Sequence, residues 1–498
     1  MLRQTTVIPA CAIVLAVIMS TSKGIAAPLH HAAGAAEDDP CLPFAMPAAD
    51  DLFGSSKKVF AHYFYPFPLS VDNKSASDDY YNRNYLNKNG ESGKWSAKGG
   101  FLRQRPLPVA VGPGDKWRLL DMQREVRMAI ERGITGFTFD VMSANGDAHL
   151  QMLLDAAQSV DPRFKILVMP DISALKSNTE AVVNSIATAA RSSAAYRLGD
   201  GRLVVSAFNA GANSTDWWAG VIAQLKARSI VIAFVPTFLG WKAQAGAFAT
   251  LTYGLSDWGT ATAAVSEAGK GDPEAAHSQY GKIYMMPVDP QQYRPKDSIY
   301  WEAGNSSAFR NAWRSSIEGG ADWVQLVTWS DFSESSEIEP YTDATLRTDI
   351  GTGYYDLNAF FAAWFLTGSQ PPITHDVLYY FYRREPTGAA APAQSAPNKI
   401  VNSSPENDIE LLAFLTSPGE LKISIDGQAS TLSAPAGMTS FKVHTAPGTP
   451  VFTLSRGGST VFSFPGSIQI FGPRGLPSGV VDMTYWSGSA SKRGMCSL

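Results

Sequence analysis

Short apolar runs alternate with amphipathic segments through most of the chain. The runs rich in β-branched and aromatic residues predict strands, and the segments with apolar positions three and four apart predict helices, such as 116–132 and 308–319. The predicted strands lie at 59–65, 134–140, 164–171, 203–209, 230–236, 249–254, 283–287 and 323–328. Eight strand–helix units followed by an apolar helix at 354–366 predict a (β/α)8 barrel over residues 57–372.

The pattern changes after Pro371. The remainder consists of short β-rich runs separated by Gly, Pro and Ser, with an Ala- and Pro-rich stretch at 385–399. Such spacing is typical of an all-β fold, and it predicts a smaller β-sandwich domain over residues 373–498.

The first residues of the chain indicate export, and export in turn bears on the cysteines. Residues 1–27 have a basic start, an apolar centre and small residues before the expected cleavage point, as a signal peptide does, and 28–56 is predicted to be a linker. No later segment has the roughly 20 apolar residues of a membrane span. We therefore expect a secreted or periplasmic protein. Cys11 would be removed with the signal peptide. The two remaining cysteines, Cys41 and Cys496, are therefore predicted to form a disulfide.

Composition narrows the classes of partner. The 498 residues carry a formal net charge of -4 and no basic block, which disfavours nucleic acid. The seven histidines are scattered, and neither a His-Glu-x-x-His motif nor paired cysteines occur, so no metal site is predicted. A serine esterase is disfavoured as well, because no Gly-x-Ser-x-Gly follows a strand with a matching His. No cofactor and no protein partner are implied.

Polar and aromatic residues gather where the predicted strands end. In a (β/α)8 barrel these ends meet at one face, which carries the chemistry. The residues expected to contact a substrate there are His62, Tyr63, Asp140, Asp171, Asn209, Trp258 and Trp329. Asp140 and Asp171 have an alternative role as helix caps, and His62 and the two Trp residues have one as core residues. An acidic and aromatic rim is typical of a site that cleaves sugars.

The last predicted strand runs into a group of carboxylates. Asp331 and Glu334 follow it closely, and glycosidic hydrolysis usually needs two carboxyl groups, one to protonate the leaving oxygen and one to act as base or nucleophile. We therefore predict Asp331 and Glu334 as the catalytic pair. Glu337 and Glu339 are expected to be solvated surface acids.

These residues resemble glycoside hydrolase family 71, the α-1,3-glucanases called mutanases. The likeness is carried chiefly by Thr328-Trp-Ser-Asp-Phe-Ser-Glu-Ser335, where the family has Thr-Trp-Asn-Asp-Tyr-Gly-Glu-Ser. The resemblance implies an endo-α-1,3-glucanase that acts by inversion, with Asp331 as base and Glu334 as acid. The sequence itself leaves open which of the two is the acid and which is the base. Serines replace an expected Asn, Gly and His at 330, 333 and 336, and Asn209 stands where a Glu is expected.

Two other functions remain open at this point. Glu337-Ile-Glu-Pro340 and Tyr63-Phe-Tyr-Pro66 resemble the related family 99, whose members include endo-mannosidases. The other alternative is a secreted glycan-binding protein on a hydrolase scaffold that has lost its activity. In every case the expected partner is a polysaccharide or oligosaccharide.

Overall fold

Nine strand segments form one parallel sheet in the computed structural model, which describes residues 39–66, 71–144, 147–343, 349–395, 397–473 and 479–496. The first twelve strands are β1 (Lys58–Tyr63), β2 (Gln104–Pro106), β3 (Gly136–Val141), β4 (Lys165–Pro170), β5 (Leu203–Val205), β6 (Ile232–Phe234), β7 (Thr237–Phe238), β8 (Gly254–Asp257), β9 (Ile283–Val288), β10 (Gln292–Arg294), β11 (Ile299–Trp301) and β12 (Trp323–Leu326). The predicted signal peptide lies outside the described residues.

The parallel sheet closes into a barrel. Its strand order is β6-β5-β4-β3-β1-β12-β9-β8-β7, and β6 and β7 are two halves of one strand separated by Val235 and Pro236. A parallel bridge between Phe208 and Thr237 extends the β5 pairing to the second half. Proline lacks the N–H that a ladder needs, which accounts for the interruption. The predicted (β/α)8 barrel is thus confirmed.

Helices cover the outside of the barrel. They are α1 (Ala49–Gly54), α2 (Trp117–Glu131), α3 (Asp147–Val160), α4 (Ile172–Leu175), α5 (Thr179–Ala190), α6 (Thr215–Ala227), α7 (Trp241–Phe248), α8 (Ala263–Ala268), α9 (Asp272–Tyr280), α10 (Ser307–Glu318) and α11 (Gly353–Thr367). α1 lies within the predicted linker. The prediction of a strand over 249–254 is wrong, because the turn that follows α7 begins this stretch and β8 starts only at Gly254.

Side-chain alternation along β1 decides what faces the barrel interior. Phe60 packs inside with Leu167, Met285 and Trp323, whereas the neighbouring Val59 and Ala61 belong to the outer core beneath the helices. Successive side chains of a strand point to opposite faces, so His62 points to the same side as Phe60, two residues nearer the carboxyl end. The apolar side chains around Phe60 therefore fill the barrel interior, and His62 lies above them, towards the carboxyl ends of the strands.

The remaining strands form antiparallel sheets, apart from one short parallel pair. They are β13 (Tyr341–Asp343), β14 (Ile350–Gly351), β15 (Val377–Arg383), β16 (Lys399–Ile400), β17 (Asp408–Leu415), β18 (Gly419–Ile425), β19 (Gln428–Ala434), β20 (Gly437–His444), β21 (Val451–Arg456), β22 (Ser459–Pro465), β23 (Tyr485–Ser491) and β24 (Gly494–Met495). A five-stranded sheet, β20-β17-β15-β23-β24, packs on a four-stranded sheet, β19-β18-β21-β22, through one shared core. The predicted β-sandwich is confirmed.

β15 joins the sandwich to the barrel. Tyr380 and Tyr382 point into the sandwich core, whereas Tyr379 and Phe381 belong to the core that contains α11. The described residues between 39 and 496 form one compact unit, so a domain boundary at 372/373 stays a prediction. The predicted Cys41–Cys496 disulfide is confirmed. Within the described ranges, no helix has the length and apolar character needed to cross a membrane.

Candidate active site

The chain turns back on itself directly after β12. Trp329 donates its backbone N–H to the carbonyl of His62 over 2.8 Å, which continues the pairing with β1. Thr328 then donates to the carbonyl of Ser336 over 2.8 Å, and Ile338 donates to the carbonyl of Thr328 over 3.1 Å. Residues 329–335 consequently form a tight loop at the mouth of the barrel, where the carboxyl ends of the strands lie. This loop carries both predicted catalytic acids.

One carboxyl oxygen of Asp331 is held by three donors. Its Oδ1 accepts hydrogen bonds from the Ser333 backbone N–H at 2.9 Å, the Ser333 hydroxyl at 2.7 Å and the Glu334 backbone N–H at 3.2 Å. Burial, reinforced by the charge of Glu334, raises the pKa of Asp331 to about 6 despite the Ser333 hydrogen bond. The group therefore changes charge in a pH range useful for acid–base chemistry.

Glu334 is anchored by the hairpin that follows β9. Its Oε2 accepts hydrogen bonds from Gln292 Nε2 at 2.6 Å and from the Arg294 guanidinium at 2.8 Å. Among the described residues, no hydrogen-bond donor reaches Oδ2 of Asp331 or Oε1 of Glu334. Each carboxyl group is thus fixed by hydrogen bonds to one of its oxygens, and its other oxygen is left available for a substrate or water.

A histidine and two aspartates lie at neighbouring strand ends. His62 Nε2 is 3.7 Å from Asp140 Oδ2, and both side chains are buried. His62 Nδ1 and Asp140 Oδ1 have no hydrogen-bond partner among the described residues. Asp171 Oδ1 caps α4 by accepting from the backbone N–H groups of Ser173 and Ala174. Burial and the charge of Asp140 raise the pKa of Asp171 to about 6.

Trp258 and Asn209 complete this side of the barrel mouth. The Trp258 ring lies edge-on to His62 at 4.8 Å and to Phe208 at 4.7 Å. Asn209 adopts a left-handed backbone with φ of 51° and donates from its amide to the Ser173 hydroxyl over 3.0 Å. The structure therefore brings Trp258 against His62, and it links Asn209 to α4, the helix that Asp171 caps.

A family profile described as glycosyl hydrolase family 71 matches residues 110–497. The chain belongs to this family. Glucan endo-1,3-alpha-glucosidase agn1 of Schizosaccharomyces pombe is 25% identical over 378 residues, covering 71% of this chain and 88% of that protein. The ascus wall endo-1,3-alpha-glucanase of the same organism is 23% identical over 402 residues, covering 71% and 89%. The solved structure of a GH99 endo-alpha-mannosidase from Bacteroides thetaiotaomicron covers 62% of this chain and 97% of its own, with a TM-score of 0.46 and 15% identity.

Two residues predicted to contact substrate are fully buried in this family 71 chain. Tyr63 stacks near Phe139, and Trp329 packs 5.3 Å from Phe137 and 6.3 Å from Tyr355. Both belong to the core between barrel and helices. Both side chains are therefore directed into this core and away from the mouth of the barrel.

The expectation that Glu337 and Glu339 are solvated surface acids is wrong. Each is 1% exposed, because the loop folds back and continues into β13 inside the protein. Burial raises the pKa of both carboxyls well above the ordinary value, and the charge of Glu125 adds to the effect at Glu339. Glu125 on α2 is itself fully buried, and burial raises its pKa to about 8. Glu125, Glu337 and Glu339 therefore favour their neutral forms.

The three serines that depart from the family pattern bond within the protein. The Ser330 hydroxyl accepts from the backbone N–H of Phe64 and donates to its carbonyl, both over 3.2 Å. The Ser336 hydroxyl lies 3.3 Å from that of Thr328, and the Ser333 hydroxyl donates to Asp331. All three are buried. Their direct effect is therefore on the shape of the loop and on Asp331.

Three polar residues near the candidate acids, Asp289, Gln292 and Arg294, were not predicted from the sequence to belong to the site. Asp289 follows β9 and is buried, and its pKa is raised well above the usual value by burial and by the charges of Asp257 and Glu334. Its position at a strand end was a usable signal. Gln292 and Arg294 lie on a hairpin whose contact with Glu334 has no local sequence signal. Of the residues described, no group of three or more His, Cys, Asp or Glu side chains could hold a metal ion.

Proposed function

We propose that this family 71 chain hydrolyses α-1,3-glucan within its chains, by an inverting mechanism that uses Asp331 and Glu334. The substrate is supported by the relatives described above as endo-1,3-alpha-glucanases, which align with 71% of this chain. The observation that carries the proposal is the pair of carboxyl groups on one tight loop at the mouth of the barrel, each held through one oxygen.

In the proposed reaction, one carboxylic acid gives its proton to the glycosidic oxygen as the bond to the anomeric carbon breaks. The other carboxylate takes a proton from a water molecule, whose oxygen attacks the anomeric carbon from the opposite face. The acid ends as a carboxylate and the base ends protonated, so one exchange of protons with solvent resets the pair. The family resemblance gives Asp331 the role of base and Glu334 that of acid.

Neighbouring groups supply what the pair lacks. We propose that His62, Asp140, Asp171, Asn209 and Trp258 line the sugar subsite, since their positions at adjacent strand ends put them at the mouth of the barrel. His62 Nδ1 and Asp140 Oδ1, which have no hydrogen-bond partner in the part of the chain that the structure describes, would find partners in sugar hydroxyls. We also propose that the protein is exported, because its disulfide is stable in an oxidising compartment.

The test compares reducing ends released from α-1,3-glucan, α-1,4-glucan and mannan. Wild-type protein is expected to release oligosaccharides from α-1,3-glucan, and Asp331→Asn and Glu334→Gln are each expected to lose about 10²-fold or more of this activity. Glu318→Gln is the matched control, since that carboxylate lies at the surface beside Lys270. Release from mannan alone would overturn the substrate, and full activity in both variants would overturn the catalytic pair. Binding without release would favour the glycan-binding alternative.

A further inference from the structure

Three consecutive residues of one hairpin strand contact Glu334. Gln292 and Arg294 both donate to its Oε2, at 2.6 Å and 2.8 Å, and the backbone N–H of Tyr293 donates to its carbonyl oxygen over 2.8 Å. Together they fix the main chain and the carboxyl group of Glu334. β10 is not a strand of the barrel. It pairs with β11 in a hairpin inserted between β9 and α10, and this hairpin supports Glu334.

Tyr293 fastens that hairpin to distant parts of the chain. Side chains alternate along a strand, so Tyr293 points away from its two neighbours and is 1% exposed. Its hydroxyl lies 3.1 Å from Asn398 Oδ1 and 3.2 Å from the Val481 carbonyl oxygen, and it accepts from Arg103 over 3.4 Å. Asn398 and Val481 both follow β15, in the region that also builds the β-sandwich.

Backbone pairing strengthens the same connection. β10 pairs antiparallel with β11, and β11 pairs in parallel with β16, which follows Asn398. Just before the hairpin, Gln291 Oε1 accepts from the backbone N–H of Tyr485 over 2.7 Å, at the start of β23. The hairpin is therefore held along its length by residues of the C-terminal region.

Arg294 has the right chemistry to hold a carboxyl group in place. Its guanidinium contacts Glu334 while lying 5.1 Å from the centre of the Trp301 ring on the facing strand. A guanidinium is planar and its donors have fixed directions, so a ring beneath it restricts where those donors point. The side chains of both contacting groups are mostly buried, which makes the contact less screened than a surface pair.

We propose that Arg294 and Tyr293 are positioning residues for Glu334, and that the C-terminal β-rich region is part of the catalytic apparatus through them. Arg294 fixes the carboxyl group, and Tyr293 transmits the support of Asn398 and Val481 to the strand that carries Arg294. This inference rests on the proposed role of Glu334. It means that the C-terminal region contributes to the chemical step of the reaction.

The test measures kcat and KM on α-1,3-glucan for full-length Arg294→Ala, Arg294→Lys and Tyr293→Phe. Because small displacements of a catalytic group cost on the order of 10²-fold, we expect Arg294→Ala to lower kcat by about that factor with KM changed less than about threefold. Arg294→Lys keeps a donor and a charge and should recover part of the loss. Tyr293→Phe removes only the hydroxyl and should lower kcat by about three- to tenfold. Tyr300→Phe is the matched control, because that ring packs against Arg383 at the end of β15.

Chemical rescue separates positioning from general loss of structure. Guanidinium chloride at about 50 mM is expected to restore kcat of Arg294→Ala by at least about fivefold, while equal sodium chloride or urea does not. Wild-type kcat in Arg294→Ala, or no rescue in a variant that melts at the wild-type temperature, would overturn the inference. If the inference about Arg294 fails but Asp331→Asn and Glu334→Gln lose activity, the proposed function still stands. Full activity in Asp331→Asn and Glu334→Gln would overturn both the proposed catalytic pair and the inference about Arg294.

Discussion

Replacing Ser333 by alanine tests how the environment of Asp331 sets the pH dependence of the enzyme. The substitution removes one of the three hydrogen bonds on Asp331 Oδ1 and leaves the two backbone donors. A hydrogen bond to a charged group stabilises it by about 1.5–3 kcal/mol, and about 1.4 kcal/mol corresponds to one pKa unit. The pKa of Asp331, about 6 in the wild type, should therefore rise by about one to two units.

The assay is the pH profile of kcat/KM on soluble α-1,3-linked oligosaccharides. If Asp331 is the base it must be ionised, so the acidic limb moves to higher pH. If Asp331 is the acid it must be protonated, so the alkaline limb moves to higher pH instead. Ser335→Ala is the matched control, because the buried Ser335 hydroxyl has no partner among the described residues. A Ser333→Ala profile with both limbs at their wild-type positions would refute the reasoning.

Three further predictions concern stability and binding. Burial raises the pKa of Glu125 to about 8, so the stability that this group contributes is complete below about pH 4.5 and is lost as the pH rises towards 8. Glu125→Gln should therefore reduce the slope of the free energy of unfolding against pH, measured with urea, by up to about 1.4 kcal/mol per pH unit in that window. Equal slopes in variant and wild type would contradict this. Reducing the Cys41–Cys496 bond, which spans 455 residues, should destabilise the fold by about 2–5 kcal/mol, and Cys496→Ser should melt at one temperature with or without reductant. Trp258→Ala should raise KM, whereas the buried Trp329→Phe should lower the melting temperature and leave KM unchanged; the reverse pattern would place Trp329 in the site.

The barrel could be predicted because its signal is local. Each strand is a short apolar run, and its carboxyl end is marked by a polar residue such as Asp140 or Asp171. The alternation that puts Phe60 inside the barrel also directs His62 inward, so knowing the strand is enough to assign the side. The same rule would have sent Tyr63 outward, towards the helices, where the structure places it.

Alternation no longer helps once the chain leaves a strand. After β12 the backbone turns, so neither the burial of Trp329 nor that of Glu337 and Glu339 follows from spacing. Charged side chains beyond a strand are usually exposed, and that expectation failed because the loop continues into β13 beneath other elements.

The anchors of Glu334 were out of reach for a different reason. Gln292 and Arg294 precede Glu334 by about forty residues, and their hairpin is held by pairing of β11 with β16, which lies about a hundred residues after β11. Contacts between segments so far apart depend on the assembled fold, and no periodic pattern of hydrophobic and polar residues in one sequence predicts them.

The most direct test of the central claim is the anomeric configuration of the first product, followed by proton NMR while wild-type protein cleaves α-1,3-glucan oligosaccharides. The proposed mechanism predicts that the β-anomer appears first and then equilibrates, and that Asp331→Asn and Glu334→Gln form neither anomer at a measurable rate. Initial release of the α-anomer would contradict inversion, and β-anomer formation at the wild-type rate in both variants would contradict the assignment of the catalytic pair.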